Sequence, residues 1–177
     1  MTVGAAATLA RVALIPLVNE NWGFESNCFV CETKNPDGLG IPFHHDVEGE
    51  RVVAEFNLGN EFSGAPSYVH GGISLAILDE AQAWATIALA GKFAVTVQTA
   101  TSFERPVLVG RDYRVTATLT SVSDDSIETE ARITFAPDDK VCAESTATFT
   151  VLSSATATAV LGVDVAGTAD AAFLRDD

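Results

Sequence analysis

Residues 73–90 constrain this chain more than any other segment. They contain no Gly or Pro, and Leu, Ile, Ala and Trp occupy nearly every face. Propensity makes the run a helix, and a helix apolar on all sides is expected to be buried on all sides. Only Ser74, Asp79, Glu80, Gln82 and Thr86 break that surface, so each needs a hydrogen-bond partner or a function. The flanking sequence supplies the cover. Residues 41–47 and 51–58 read as two strands joined across Glu48-Gly49-Glu50, the second alternating along Val52, Ala54, Phe56 and Leu58. After Gly91 four further strands are expected, over residues 93–104, 113–122, 127–135 and 141–152, rich in Val, Thr, Ile and Phe and separated by turn residues. Strands segregated from one helix make an α+β fold, and a single antiparallel sheet buries such a helix by curling around it.

The remaining chain divides around this unit. Residues 5–15 favour helix until Pro16 stops it, and Asn35-Pro36-Asp37-Gly38 is a turn. Residues 1–35 are therefore expected to hold an N-terminal helix and a Cys-containing loop, 36–152 the main domain, and 153–177 a low-complexity, peripheral extension. With 177 residues there is material for one globular unit. A formal charge of −14 repels nucleic acid and anionic lipid. No uninterrupted apolar run is long enough to span a membrane, and the apolar opening has no basic residue before it and is interrupted by Arg11, a poor signal peptide. The expected location is cytoplasmic. Three cysteines do not describe a disulfide scaffold.

Chemistry concentrates at His70-Gly71-Gly72 and Asp79. Two glycines let a ligand approach the backbone, and a helix start offers unpaired N–H groups and partial positive charge. Such a terminus can hold an oxyanion. Asp79 follows about two turns later, in an apolar wrapping where a carboxylate needs either a structural partner or a catalytic task.

The stretch from His70-Gly71-Gly72 through Asp79-Glu80-Ala81 closely resembles hotdog-fold acyl-CoA thioesterases of the phenylacetic-acid-pathway and 4-hydroxybenzoyl-CoA groups. The similarity continues from Ala94 through Thr96 and Phe103 to Arg105-Pro106. The resemblance implies a hotdog fold, an antiparallel sheet of five to six strands around one long helix, and a homodimer or homotetramer with interfacial active sites. It assigns Asp79 as general base or nucleophile and Gly71 N–H as the group polarising the thioester carbonyl. Thr96 would position water from the partner subunit, with Thr99 as the alternative. An acyl-CoA substrate is implied, with no metal or cofactor. A non-catalytic acyl-thioester-binding module, a hotdog dehydratase and a carrier-protein substrate remain open alternatives.

Other residues are weighed beside these. His70 is expected to hold the loop. Gly72, Trp84 and Phe103 could line the substrate, although the two aromatics are equally good core residues. Lys92, Arg105, Arg111 and Arg114 against Glu104 and Asp112 make a locally basic segment suited to CoA phosphates, or else ordinary cross-strand partners. Glu80 points about 100° away from Asp79 and is expected to pair with a neighbouring loop or to help pack the subunit interface, with direct catalysis as the lesser alternative. Cys28-Phe29-Val30-Cys31 has no third ligand at suitable spacing, because His44 and His45 are adjacent and Cys142 is distant. A structural role is expected there.

Overall fold

The computed structural model describes residues 14–22 and 26–161. Helix α1 spans Gly71–Ala88. It begins ahead of the apolar run because His70 caps it, the imidazole Nδ1 accepting the Gly72 N–H at 2.9 Å. Seven strands form one antiparallel sheet: β1 (Leu14–Leu17), β2 (Phe43–Asp46), β3 (Arg51–Phe56), β6 (Ala94–Phe103), β7 (Tyr113–Val122), β8 (Ser126–Phe135) and β9 (Lys140–Val151). Their order is β1-β2-β3-β7-β8-β9-β6. The sheet wraps α1 as expected and is larger than the five to six strands anticipated. This is the hotdog fold.

Three local differences have physical causes. Leu14–Leu17 is an edge strand where residues 5–15 read as helix. Pro16 is tolerated there because an edge strand needs no second ladder partner, and residues 5–13 lie outside the described residues. Within the turn-rich stretch 59–70, β4 (Ser63–Ala65) and β5 (Tyr68–Val69) form a small hairpin too short to show a pattern. The segment expected to be peripheral begins with helix α2 (Ser154–Leu161), which buries Ala157 completely.

Pairing order is the larger difference. β6 does not pair with the next strand, β7, but with β9 at the far edge of the sheet. The intervening crossover is pinned where Val69 N–H donates to Val107 O at 2.8 Å, Gly110 N–H to Leu58 O at 2.8 Å, and Leu108 N–H to the Tyr113 hydroxyl at 2.9 Å.

The core lies between α1 and the strands β3, β7 and β8. Ile77, Leu78, Ala81 and Ala85 meet Val52, Val115 and Ile133, all at 0% exposure. Each large apolar side chain so buried contributes roughly 1.5–3 kcal/mol. The Gln82 amide donates to Leu78 O at 3.2 Å and accepts from the Thr129 hydroxyl at 3.0 Å and the Ala147 N–H at 3.2 Å, and the Thr86 hydroxyl donates to Ala83 O at 2.8 Å. The helix is not covered all round, however. Leu75, Asp79 and Ala83 follow Gly72 along a stripe that stays half-exposed in a single chain.

Beside that stripe, β6 carries one irregularity. Its register shifts between Thr96 and Gln98, so that Val97 is the extra residue of a β-bulge. Side chains alternate faces along a strand, and one inserted residue resets the alternation. Thr96 therefore pairs with buried Phe149, while Thr99 and Thr101 pair with buried Ala147 and Ser145. Even-numbered Thr96 and odd-numbered Thr99, Thr101 and Phe103 all stand on the helix-facing side.

Candidate active site

His70 is held from three directions. Its N–H donates to Phe62 O at 2.9 Å, its imidazole takes the Gly72 N–H, and Gly64 lies so close that a Cβ there would meet the His70 Cα at 3.0 Å. The β4–β5 hairpin thus fixes the entrance to α1. A Cβ added at Gly72 would stand 3.1 Å from the His70 Nδ1 and press on the capping imidazole. With Gly72 N–H occupied, only one of the two glycines presents an open donor: among the described residues, no group accepts a hydrogen bond from Gly71 N–H. The Phe103 ring borders Gly71, with its Cζ 3.9 Å from where a Gly71 Cβ would stand. Phe103 is 55% exposed and so forms a wall rather than core.

Asp79 is half-exposed on the open stripe, not sunk in apolar surroundings as its sequence context suggested. The Thr96 hydroxyl donates to its Oδ1 at 2.9 Å. This contact is made within one chain, whereas the resemblance implied a threonine from a partner. Thr99 is engaged elsewhere, its hydroxyl 2.9 Å from the Ser145 hydroxyl, which Thr101 also approaches at 3.0 Å.

Glu80 turns the opposite way, into the loop that carries the cysteines. The Cys28 thiol lies 3.4 Å from Glu80 Oε2. Burial, reinforced by the neighbouring Cys28, pushes the Glu80 carboxyl up to about 8. Cys28 is brought down to about 5, chiefly by its hydrogen bond with Cys31, and Cys31 is pushed up by the same contact and by burial. This acidic partner, 52 residues from Cys28, is invisible to a search at conventional ligand spacing.

The basic segment does not converge. Arg114 sits opposite Glu55 in the β3–β7 register and binds it at 2.9 Å, with Asp139 at 3.5 Å on its other side. Arg105 donates to the Val141 carbonyl at 2.6 Å, and Arg111 is exposed in the crossover. Lys92 and Arg105 lie beyond opposite ends of β6, a strand of ten residues and about 33 Å. Trp84, 3% exposed, belongs to the core and not to an open wall.

Residues 67–143 match the thioesterase superfamily. The matched segment runs from β5 through α1, β6, β7 and β8 into β9 and contains His70, Gly71, Asp79, Thr96 and Phe103. Among solved structures, a thioesterase superfamily protein is 28% identical over 66% of this chain and 56% of its own, with a TM-score of 0.61. The chain thus spans just over half the length of that relative. A phenylacetic acid degradation-related protein from Ralstonia eutropha JMP134 is 26% identical over 64% of this chain and 86% of its own, at a TM-score of 0.56. The PaaI protein from the phenylacetic acid degradation operon of E. coli shares the fold at 20% identity, covering 57% of this chain and 76% of its own, TM-score 0.53. No curated protein matches the chain. No helix among the described residues is long and apolar enough to cross a membrane.

Proposed function

We propose that the chain is an acyl-CoA thioesterase whose active sites are completed by a second copy of itself. The contact between Thr96 and Asp79, on the same helix whose first residue offers the open Gly71 amide, carries this reading. One carboxylate oxygen is occupied by a hydroxyl, leaving the other to take a proton from water. Water attacks the thioester carbonyl carbon, its proton passes to Asp79, and the carbonyl oxygen gathers charge against a helix-terminal amide. Collapse breaks the carbon–sulfur bond, and the proton leaves with the thiolate as free CoA. In the alternative, Asp79 attacks the carbonyl carbon itself, the carbon–sulfur bond breaks to expel CoA thiolate, and water then hydrolyses the acyl-enzyme anhydride to free acid and Asp79.

Spacing explains why two copies are needed. Gly71 and Asp79 are eight residues apart on α1, about 12 Å of axial rise. A carbonyl group must lie roughly 3 Å from both its oxyanion donor and its attacking group, so one chain's pair cannot act on one thioester. A two-fold partner with its helix antiparallel would set Gly71 of one copy opposite Asp79 of the other. The open α1 stripe and the exposed edge strand β6, where Val97 is 59% exposed, supply a surface for that partner. Acyl-CoA as the substrate class rests on the motif resemblance, with carrier-protein thioesters as the competing donor. Phe103 beside Gly71 is the residue placed to touch the acyl group, and His70 positions the amide.

The test measures CoA release from aliphatic and aromatic acyl-CoAs and from acyl carrier protein. Asp79→Asn is expected to lower kcat by about 10²- to 10⁴-fold, the usual contribution of general base catalysis. Turnover that survives this change sinks the mechanism, and acyl-CoA binding without hydrolysis by the wild type identifies a binding module instead.

A further inference from the structure

The side of α1 facing away from Thr96 carries a second cluster that thioester chemistry does not use. One Sγ each from Cys28 and Cys31 and a Glu80 carboxylate oxygen lie within 4.8 Å of one another, all partly buried. We infer that these three side chains form a zinc site that fastens the N-terminal loop to the turn of α1 carrying Asp79.

The geometry is close to what zinc requires. Bonds of about 2.3 Å to sulfur and 2.0 Å to oxygen at a tetrahedral angle place sulfur and oxygen ~3.5 Å apart and two sulfurs ~3.8 Å apart. Cys28 Sγ and Glu80 Oε2 are already at 3.4 Å, so small side-chain movements would complete the set. Thiolates with one carboxylate suit a borderline-soft ion such as zinc and are poor ligands for magnesium or calcium. Three protein ligands leave a fourth position for water.

The surroundings are shaped for sulfur ligands. Cys28 Sγ accepts the N–H groups of Val30 and Cys31 at 3.4 and 3.5 Å, and Cys31 Sγ accepts from Asn19 Nδ2 at 3.6 Å. Such outer donors fix ligand orientation and offset thiolate charge. The loop is preorganised around them: Leu39 N–H donates to Phe29 O at 2.7 Å and Ile41 N–H to Val30 O at 2.9 Å. Asn35 Nδ2 reaches the Asn27 and Cys28 carbonyls at 3.2 and 3.4 Å. Gly38 closes the turn where a Cβ would stand 2.6 Å from Phe29 O. No Lys or Arg among the described residues makes an ion pair with Glu80, so no side-chain cation competes with a metal for its oxygens.

The test uses the full-length chain, reduced and freed of metal by chelation, titrated with zinc and separately with cobalt(II). Expected are one zinc per chain by elemental analysis and a thiolate-to-cobalt charge-transfer band with the visible spectrum of a tetrahedral ion. Glu80→Gln should weaken zinc affinity by at least about tenfold, the lower end of the cost of losing even an outer-shell partner, and Cys28→Ser should remove the charge-transfer band. If Cys28→Ser fails to fold, the wild-type cobalt spectrum and Glu80→Gln still decide. Zinc at background with no charge-transfer band overturns the inference, as does unchanged affinity in Glu80→Gln. A Cys28–Cys31 disulfide in protein isolated without added oxidant overturns it too. The readout is metal content, independent of thioester turnover, so this inference and the proposed activity fail separately.

Discussion

Replacing Thr96 by Val separates catalytic geometry from stability. The two side chains have nearly the same shape, both suit a strand, and Thr96 is exposed in the single chain, so folding stability should change by no more than about 0.5 kcal/mol. What disappears is the 2.9 Å hydrogen bond to Asp79 Oδ1. A hydrogen bond to a charged group contributes about 1.5–3 kcal/mol when water cannot replace it. At 1.36 kcal/mol per factor of ten, that is a loss of about 10- to 150-fold in kcat/KM. Water would restore most of the interaction at an open surface, so the size of the loss also reports whether a partner copy encloses the pair. The assay is thiol release from acyl-CoA followed with a chromogenic thiol reagent, alongside thermal unfolding and sedimentation. Thr99→Val serves as comparison because its hydroxyl engages Ser145, and it should cost less than about threefold. A Thr96→Val enzyme that stays folded and oligomeric with kcat/KM within threefold of wild type refutes the assignment.

Other perturbations probe the scaffold. Val97→Lys puts a charge on the exposed bulge of β6; sedimentation should show dissociation to single chains, with activity lost and the unfolding temperature little changed. His70→Ala removes the helix cap and should destabilise by about 1 kcal/mol, or roughly 2–4 °C in Tm for a chain this size; an unchanged Tm would mean that the cap is only geometric. Asp46 is buried, which raises its pKa, but the Gly49 N–H at 3.0 Å and Arg51 at 2.8 Å outweigh that, and the net shift is downward from 3.8. A depressed carboxyl adds stability that is whole above its unfolded pKa and fades as pH falls through the folded value. Asp46→Asn should therefore lose about 1–3 kcal/mol at neutral pH and show a flatter stability profile below pH ~4 than the wild type; parallel acid profiles would exclude the pairing as the cause.

Long periodic segments were legible in the sequence because their patterns are local. The helix and the four long strands fall within a few residues of where hydrophobic spacing and turn chemistry place them. Strand order was not legible: nine residues between Phe103 and Tyr113 look like a hairpin connection, yet β6 crosses to the far edge to pair with β9. Alanine-rich propensity hid β1, whose pairing with β2 supplies what its own sequence lacks. At the candidate site, the placement of His70, Gly71 and Asp79 along one helix was legible because helix geometry fixes their relation. The proximity of Glu80 to Cys28 was not, since tertiary packing alone joins them. The basic residues between 92 and 114 mislead in the opposite direction, being neighbours in sequence that an extended strand carries apart.

The extra residue at position 97 makes this wall deceptive to anyone who redesigns it. Stepping back in twos from Thr99, as one would along a regular ribbon, selects Val97 and Val95 and never arrives at the single hydroxyl that touches the carboxylate. A mutational library built on parity alone would vary the wrong positions, and its silence would be mistaken for tolerance.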